Sequence, residues 1–375
     1  AGANLERFEG VDTGAISQQV PGYRLIREIH RGGQGVVYLA EQEGTKRRVA
    51  VKMLLQGRFA TTRQRVRFER EIEVIASLKH PGIVTVFESG ESEDGQVYYA
   101  MEYVEGERLD EWWSRERPQP HNAARMVREI SDAIGFAHRR GVIHRDIKPA
   151  NILIDSKGKP NILDFGLARM VEDHNSDRGQ MLATAAGEFL GTFAYAAPEQ
   201  LTGDPDSVDT RADVYALGIV LFEALTQTSP FPKVESVADL VHSRIEGVVP
   251  RPSSRGRGIG HELDLITLKA LDPDSERRYD SASEFAEDLF RWLEGRPIQA
   301  RGDSLPYVLR KAIGRHKLAS WFVATVAILV MSSAISLVVL YGISEEKRRQ
   351  AERAVETIEM SLKSLDSESK GPMPK

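Results

Sequence analysis

From residue 23 the chain runs in short apolar bursts. YRLIREI, VVYLAE, RRVAVKML, IVTVFESG and VYYAMEYV, all within residues 23–104, are rich in β-branched and aromatic residues and are parted by Gly, Asp and charged positions, the pattern of strands in a small sheet. One segment, 63–78, breaks the series: Val66, Phe68, Ile72, Ile75 and Leu78 recur there at mostly helical spacing. Beyond Gly106 the period changes, and 123–139, 210–226, 237–246, 262–271 and 283–294 read as helices separated by loops rich in Pro, Gly and Asp. A β-rich small lobe (21–105) followed by a helical large lobe (106–295) predicts an α+β chain with a cleft between the lobes. Residues 1–20 are small, polar and acidic and read as a flexible lead-in. We find no internal repeat.

The pattern changes again at 318–341, LASWFVATVAILVMSSAISLVVLY, which carries no charged residue and is long enough to cross a bilayer as a helix. A buried core helix normally shows a polar stripe, and here Ser and Thr are the most polar residues present. Trp321 and Tyr341 stand near the ends as interfacial anchors do, and the run lies too late in the chain to be a signal peptide. Arg310, Lys311, Arg315 and Lys317 precede it and Lys347, Arg348, Arg349 and Arg353 follow, so counting positive charges does not orient it. A basic juxtamembrane linker (296–317) leads in and a charged helical tail (342–375), read as truncated, leads out. In that tail Ala351, Val355, Ile358, Leu362 and Leu365 alternate four- and three-residue steps, which suits either an ordinary juxtamembrane helix or a dimer seam.

Composition narrows the chemistry. With 375 residues, 41% of them apolar, the chain can bury one large core or two moderate ones. A net charge of -5 supplies no basic field for a phosphate backbone, so no nucleic-acid partner is expected. The absence of cysteine removes disulfides, thiol nucleophiles and Cys-based zinc sites, and fits a reducing compartment. The first residue is Ala1, which leads us to expect a processed product or a piece of a longer protein.

The chemistry-bearing stretch is HRDIKPAN at 144–151, followed thirteen residues after Asn151 by Asp164-Phe165-Gly166. Phosphoryl transfer needs a carboxylate beside the incoming hydroxyl, oxygen ligands for a divalent metal and a cation near the moving charge. Asp146 suits the first role, Asn151 and Asp164 the second, and Lys148 the third. Upstream, IHRGGQGVVYLA crowds Gly32, Gly33 and Gly35 before a β-branched run, a loop able to bring backbone close to phosphate.

Together these motifs resemble the eukaryotic-type (Hanks-type) protein kinases, and specifically the membrane-anchored Ser/Thr kinases of bacteria. The resemblance covers about 23–293, with the motifs in the family's order: Gly-rich loop, VAVK ending at Lys52, helix glutamate, HRDIKPAN, DFG, AAPE ending at Glu199, and DVYALG from Asp213. It implies a two-lobed protein kinase fold followed by a single transmembrane helix, and ATP-dependent transfer of the γ-phosphoryl group to Ser/Thr hydroxyls of proteins in membrane signalling. ATP would be used with Mg2+, or Mn2+ in its place. Lys52 would bind the α/β-phosphates and pair with Glu71. The nucleotide would lie among Ile29, Gly32, Gly33, Gln34, Gly35, Val37, Ala50 and Leu153, with Met101 as gatekeeper and Glu102 to Val104 as the hinge. Asp213 would anchor the catalytic loop, and Glu199 would pair with Arg278, although a two-residue lengthening near 274–276 leaves Arg277 as an alternative. Thr192 would contact Asp146 and Lys148. Arg145 would hold a phosphate on an autophosphorylated activation loop, Thr184 being the first candidate acceptor and Ser176 the second.

One position departs from the family. His30 occupies the place of the first glycine of G-x-G-x-x-G, and it is the sole support for the competing reading, a membrane-anchored pseudokinase scaffold that binds nucleotide or partners without transfer. Because ATP is cytosolic, the resemblance places the kinase lobes in the cytoplasm of a single-pass membrane protein. A homodimer through the membrane helix or tail would favour phosphorylation in trans.

Overall fold

The computed structural model describes residues 19–33, 35–54, 62–165, 193–202, 208–232, 234, 236–302 and 317–368. The chain divides into two compact units, 1–303 and 304–375.

The small lobe of the first unit is built on one antiparallel sheet. Its strands are β1 (Tyr23–Gly32), β2 (Gly35–Gln42), β3 (Arg48–Leu54), β4 (Val86–Glu91) and β5 (Val97–Glu102), in the order β1-β2-β3-β5-β4. The period of two sorts the side chains. Val36, Tyr38 and Ala40 of β2, Val49, Val51 and Met53 of β3, and Tyr98 and Ala100 of β5 share one core on one face. Their alternates, Val37, Ala50, Lys52, Tyr99 and Met101, therefore face the other way. Strand pairing puts His30 opposite Val37, Val37 opposite Lys52, and Lys52 opposite Tyr99, one continuous row across four strands. Gly35 is required at its place, since a Cβ there would strike the Met53 carbonyl of the neighbouring strand. Helix α1 (Thr62–Ala76) packs beside β4 and buries Ile72 and Ile75.

The crossing into the large lobe holds elements too short for periodicity to reveal. A second sheet joins β6 (Gly106–Arg108), β7 (Ile152–Asp155) and β8 (Pro160–Ile162), and helix α2 (Leu109–Glu116) follows β6. Helix α3 (Pro120–His138) starts earlier than its apolar pattern, on a proline at N1 where no backbone N–H is needed. Then come α4 (Pro198–Thr202), α5 (Thr210–Thr226), α6 (Val237–Ile245), α7 (His261–Ala270) and α8 (Ala282–Leu293). Helix α5 is buried on nearly every side, as an all-round apolar helix must be, and α3 and α8 pack around it.

The lobe closes on a buried carboxylate. Asp288 of α8 accepts hydrogen bonds from the Tyr279 hydroxyl at 2.8 Å and from the backbone N–H groups of Gln299 and Ala300 at 2.6 and 2.9 Å. Ile298 is buried beside them, so the segment leaving the lobe is pinned to it.

The second unit holds helix α9 (Lys317–Glu368), 52 residues long and unbroken from the apolar run into the charged tail. It is the one helix among the described residues long and apolar enough to cross a membrane. Ile328, Leu337 and Tyr341 are 62%, 68% and 70% exposed, so these positions are not covered by the described residues.

Candidate active site

Three pieces of backbone meet at the cleft: the β3–β5 row, the loop after α3 and the turn after β8. Lys52, 5% exposed on β3, places its Nζ 2.6 Å from Asp164 Oδ2. Tyr99 donates its phenolic O–H to Asp164 Oδ1 at 2.5 Å. Burial pushes the Asp164 carboxyl up, but the Lys52 charge and the hydrogen bonds from Lys52 and Tyr99 outweigh it and hold the group below its ordinary value. Asp164 is an ionised carboxylate at neutral pH.

The loop 144–151 is shaped by one buried acid. Asp213, on α5, accepts the backbone N–H of His144 at Oδ2 and of Arg145 at Oδ1, both at 2.8 Å, while His138 Nε2 lies 2.8 Å from Oδ2. Burial raises the Asp213 carboxyl, and the hydrogen bond and charge of His138, with the contributions of His144, bring it below its ordinary value. Held this way, Arg145 adopts the left-handed conformation (φ 64°), and Asp164 does the same (φ 50°). Two strained non-glycine residues in one cleft are what a site over-determined by its surroundings shows. The His144 ring packs on Phe165 and donates from Nε2 to the Leu163 carbonyl at 2.9 Å, joining this loop to the turn that carries Asp164.

Asp146 itself is 6% exposed. Lys148 Nζ stands 2.8 Å from its Oδ2, and the Asn151 amide donates to its backbone carbonyl at 2.8 Å and to Oδ2 at 3.0 Å. Since Asn151 spends its N–H groups on Asp146, the oxygen of the same amide is left as its acceptor. One carboxylate, one amide oxygen and the phosphates of a nucleotide make a hard-oxygen donor set of the kind Mg2+ takes, and the residues present fit that ion.

The other positions named from the sequence are placed as follows. Glu71 is half-buried on α1; Gly32 ends β1 and Gly33 turns after it, Gly35 opens β2, and Ile29 lies at a β-bulge in β1. Val37, Ala50 and Met101 are buried in the sheet, Glu102 ends β5 with Val104 two residues on, and Leu153 lies on β7 opposite Arg108 of β6. His30 bends its ring over the loop, so that a Cβ at Gly32 would meet Nε2 at 3.3 Å. Loss of solvent on its cleft side, with Arg108 and Lys52 nearby, lowers its pKa, so the ring is neutral at pH 7. Glu199 receives a two-pronged ion pair from Arg278, at 2.7 and 2.9 Å, while Arg277 is exposed and faces Asp274, so Arg278 is the partner. Gln34, Gly166, Ser176, Thr184 and Thr192 lie outside the described residues. The sequence singles out neither Tyr99 nor His138: β5 carries two buried hydroxyls, on Tyr98 and Tyr99, and strand register decides which of them shares the face of Lys52.

A sheet-rich lobe over a helical lobe, with these acids and amines facing the cleft, defines the class of protein kinases. Residues 23–291 match the family model described as the protein kinase domain. Serine/threonine-protein kinase PknB of Mycobacterium leprae is 39% identical over 282 residues, covering 74% of this chain and 44% of its own length. A probable serine/threonine-protein kinase of Streptomyces coelicolor is 37% identical over 282 residues, covering 74% of this chain and 41% of its own. The crystal structure of the Mycobacterium tuberculosis PknI kinase domain superimposes with a TM-score of 0.57 at 27% identity, covering 76% of this chain and 100% of that one. The chain belongs to the protein kinase family, in its bacterial Hanks-type branch, whose members use ATP and a divalent metal. It spans less than half the length of the curated relatives it matches.

Proposed function

We propose that this chain transfers the γ-phosphoryl group of ATP to Ser and Thr hydroxyls of proteins, its own activation loop included, as a membrane-anchored signalling kinase with Mg2+ as its working metal. The observation that carries the reading is a pair of linked clusters: Lys52 with Asp164 at 2.6 Å, and Asp146 with Lys148 and Asn151 at 2.8 and 3.0 Å, the Leu163 N–H beside Asp164 donating to the Asn151 carbonyl at 2.8 Å. In this reading Asp146 accepts the hydroxyl proton as the oxygen attacks phosphorus, and Asn151 fixes the rotamer from which it does so. Lys148 sits beside that carboxylate, where it stabilises charge on the moving group. Lys52, oriented by Glu71, draws the α/β-phosphates into line. Asn151 and Asp164 would hold the divalent ion, which when bound neutralises charge building on the phosphate oxygens.

Ile29, Val37, Ala50 and Leu153 would enclose the adenine, with the Glu102 to Val104 backbone pairing with it and Met101 behind. Arg145, whose Nε is buried with no hydrogen-bond partner among the described residues, would receive a phosphate on Thr184, or on Ser176 in its place. Thr192 would complete the substrate side. The scaffold alternative rests on His30 alone, and that neutral ring leaves the Lys52–Asp164 pair intact. On this reading α9 crosses the bilayer through 318–341 with the kinase lobes in the cytoplasm, and Val355 and Ile358, both exposed, belong to the seam for a second copy that starts at Ala351.

The test is incubation of the full chain in detergent with labelled ATP and Mg2+, beside Asp146→Asn. Label on Ser or Thr should fall by about 10²–10⁴ in the variant. Equal labelling of the two proteins would overturn the assignment of Asp146, and no labelling of either would favour the scaffold.

A further inference from the structure

The Asp164 carboxylate takes its two donors from neighbouring strands of one sheet. Lys52 on β3 and Tyr99 on β5 are register partners, so both side chains leave the sheet on the same face and reach the same acid, one at each oxygen. Tyr99 is 1% exposed. Its hydroxyl has a carboxylate oxygen 2.5 Å away, an atom that accepts and cannot donate, so the phenol is the donor of the pair. Lys52 is a different kind of partner: an ammonium that a nucleotide's phosphates compete for. A buried phenol has no such competitor, and turning it away would leave an unpaired hydroxyl in an apolar wall.

We propose that Tyr99 is a positioning residue for the divalent-metal site. Its hydroxyl holds Asp164 Oδ1, so that the carboxylate keeps its aim when Lys52 turns to the nucleotide. The division of labour follows from the chemistry: Lys52 supplies charge, which is shared with phosphate, and Tyr99 supplies direction, which is not. The left-handed backbone at Asp164 (φ 50°) makes such a hold necessary, because a strained residue keeps its conformation only while its contacts persist. The inference rests on the reading of Asp164 as a metal ligand.

The test uses the full chain in detergent and needs no turnover. ADP affinity is measured by calorimetry in EDTA and again in saturating Mg2+, for wild type, Tyr99→Phe and Tyr99→Met, with thermal melting of each variant as the check on folding. Both variants should bind metal-free ADP within about twofold of wild type, while the tightening produced by Mg2+ should shrink roughly tenfold, the loss of one hydrogen bond to a charged group. A variant with the full Mg2+ effect would overturn the inference. So would a variant that weakens ADP equally with and without Mg2+, since that is a packing defect. If Phe melts far below wild type, Met, which fills much of the same volume without a hydroxyl, decides the question. Should wild type bind ADP and gain nothing from Mg2+, the functional reading fails first and takes this one with it.

Discussion

Asp213 lies within α5, away from any reacting atom, yet it sets the shape of the loop that bears Asp146. Three donors converge on its two oxygens, and each would lose its only match in an apolar replacement. Folding lowers its pKa, so the unfolded chain binds the extra proton first as pH falls. The stability it contributes is complete at neutral pH, fades as pH drops past the ordinary carboxylate value of 3.8, and is gone below the folded value. Asp213→Asn should flatten that acid limb in melts taken between neutral pH and acid, and should lower stability at pH 7 by about 3 kcal/mol, because an amide N–H₂ then meets backbone donors. At this scale the sequence is legible where a residue type is tied to a motif. Lys52, Asp146, Asn151 and Asp164 are recognisable in order along the chain. The partnerships of Tyr99 and His138 are not, because they depend on strand register and helix rotation, which bring together residues 65 and 75 positions apart.

Arg278 performs an equivalent task between elements. Its guanidinium holds Glu199 of α4 with two bonds and also donates to the carbonyls of Asp272, Pro273 and Arg211, so one side chain ties α4, the start of α5 and the turn after α7. The Arg278 side chain has no exposed surface. Arg278→Ala leaves a partly buried carboxylate without this cation and three carbonyls without their donor, and should cost about 3 kcal/mol, read as a lowered midpoint in urea. Lysine should recover only part of that loss, since a single ammonium cannot make the paired contact. The long elements were legible from period alone: α5 is apolar all round and α8 alternates faces. The strands β6 to β8, of three or four residues, are too short to show a period, and α4 presents just one turn. Their existence comes from tertiary pairing, as when β8 places Ile162 beside Ile83 of the small lobe.

For the whole molecule, the division at residue 303 separates the catalytic machinery from the apolar helix. Removing 317–375 should move the chain from the membrane fraction to the soluble one and change Mg2+·ADP affinity by less than about twofold, since every residue assigned to the nucleotide and the metal belongs to the first unit. Fractionation followed by calorimetry checks both halves of that expectation; a soluble full chain would end the membrane reading. The same deletion should remove any rise of autophosphorylation rate with protein concentration, if the seam that begins at Ala351 joins two copies.

The length of α9 has its own mechanical meaning. At ~1.5 Å per residue its 52 residues form a rod of ~78 Å, while a bilayer's hydrocarbon core is ~30 Å thick. More than half of the rod therefore lies beyond what the lipid tails can cover. With no break between the apolar run and the tail, there is no joint at which torque is lost. Each residue of phase is a turn of ~100°, so a twist of the charged end by one position would turn the apolar end of a rigid helix through the same angle. The helix is a shaft, and the information it can carry is an angle.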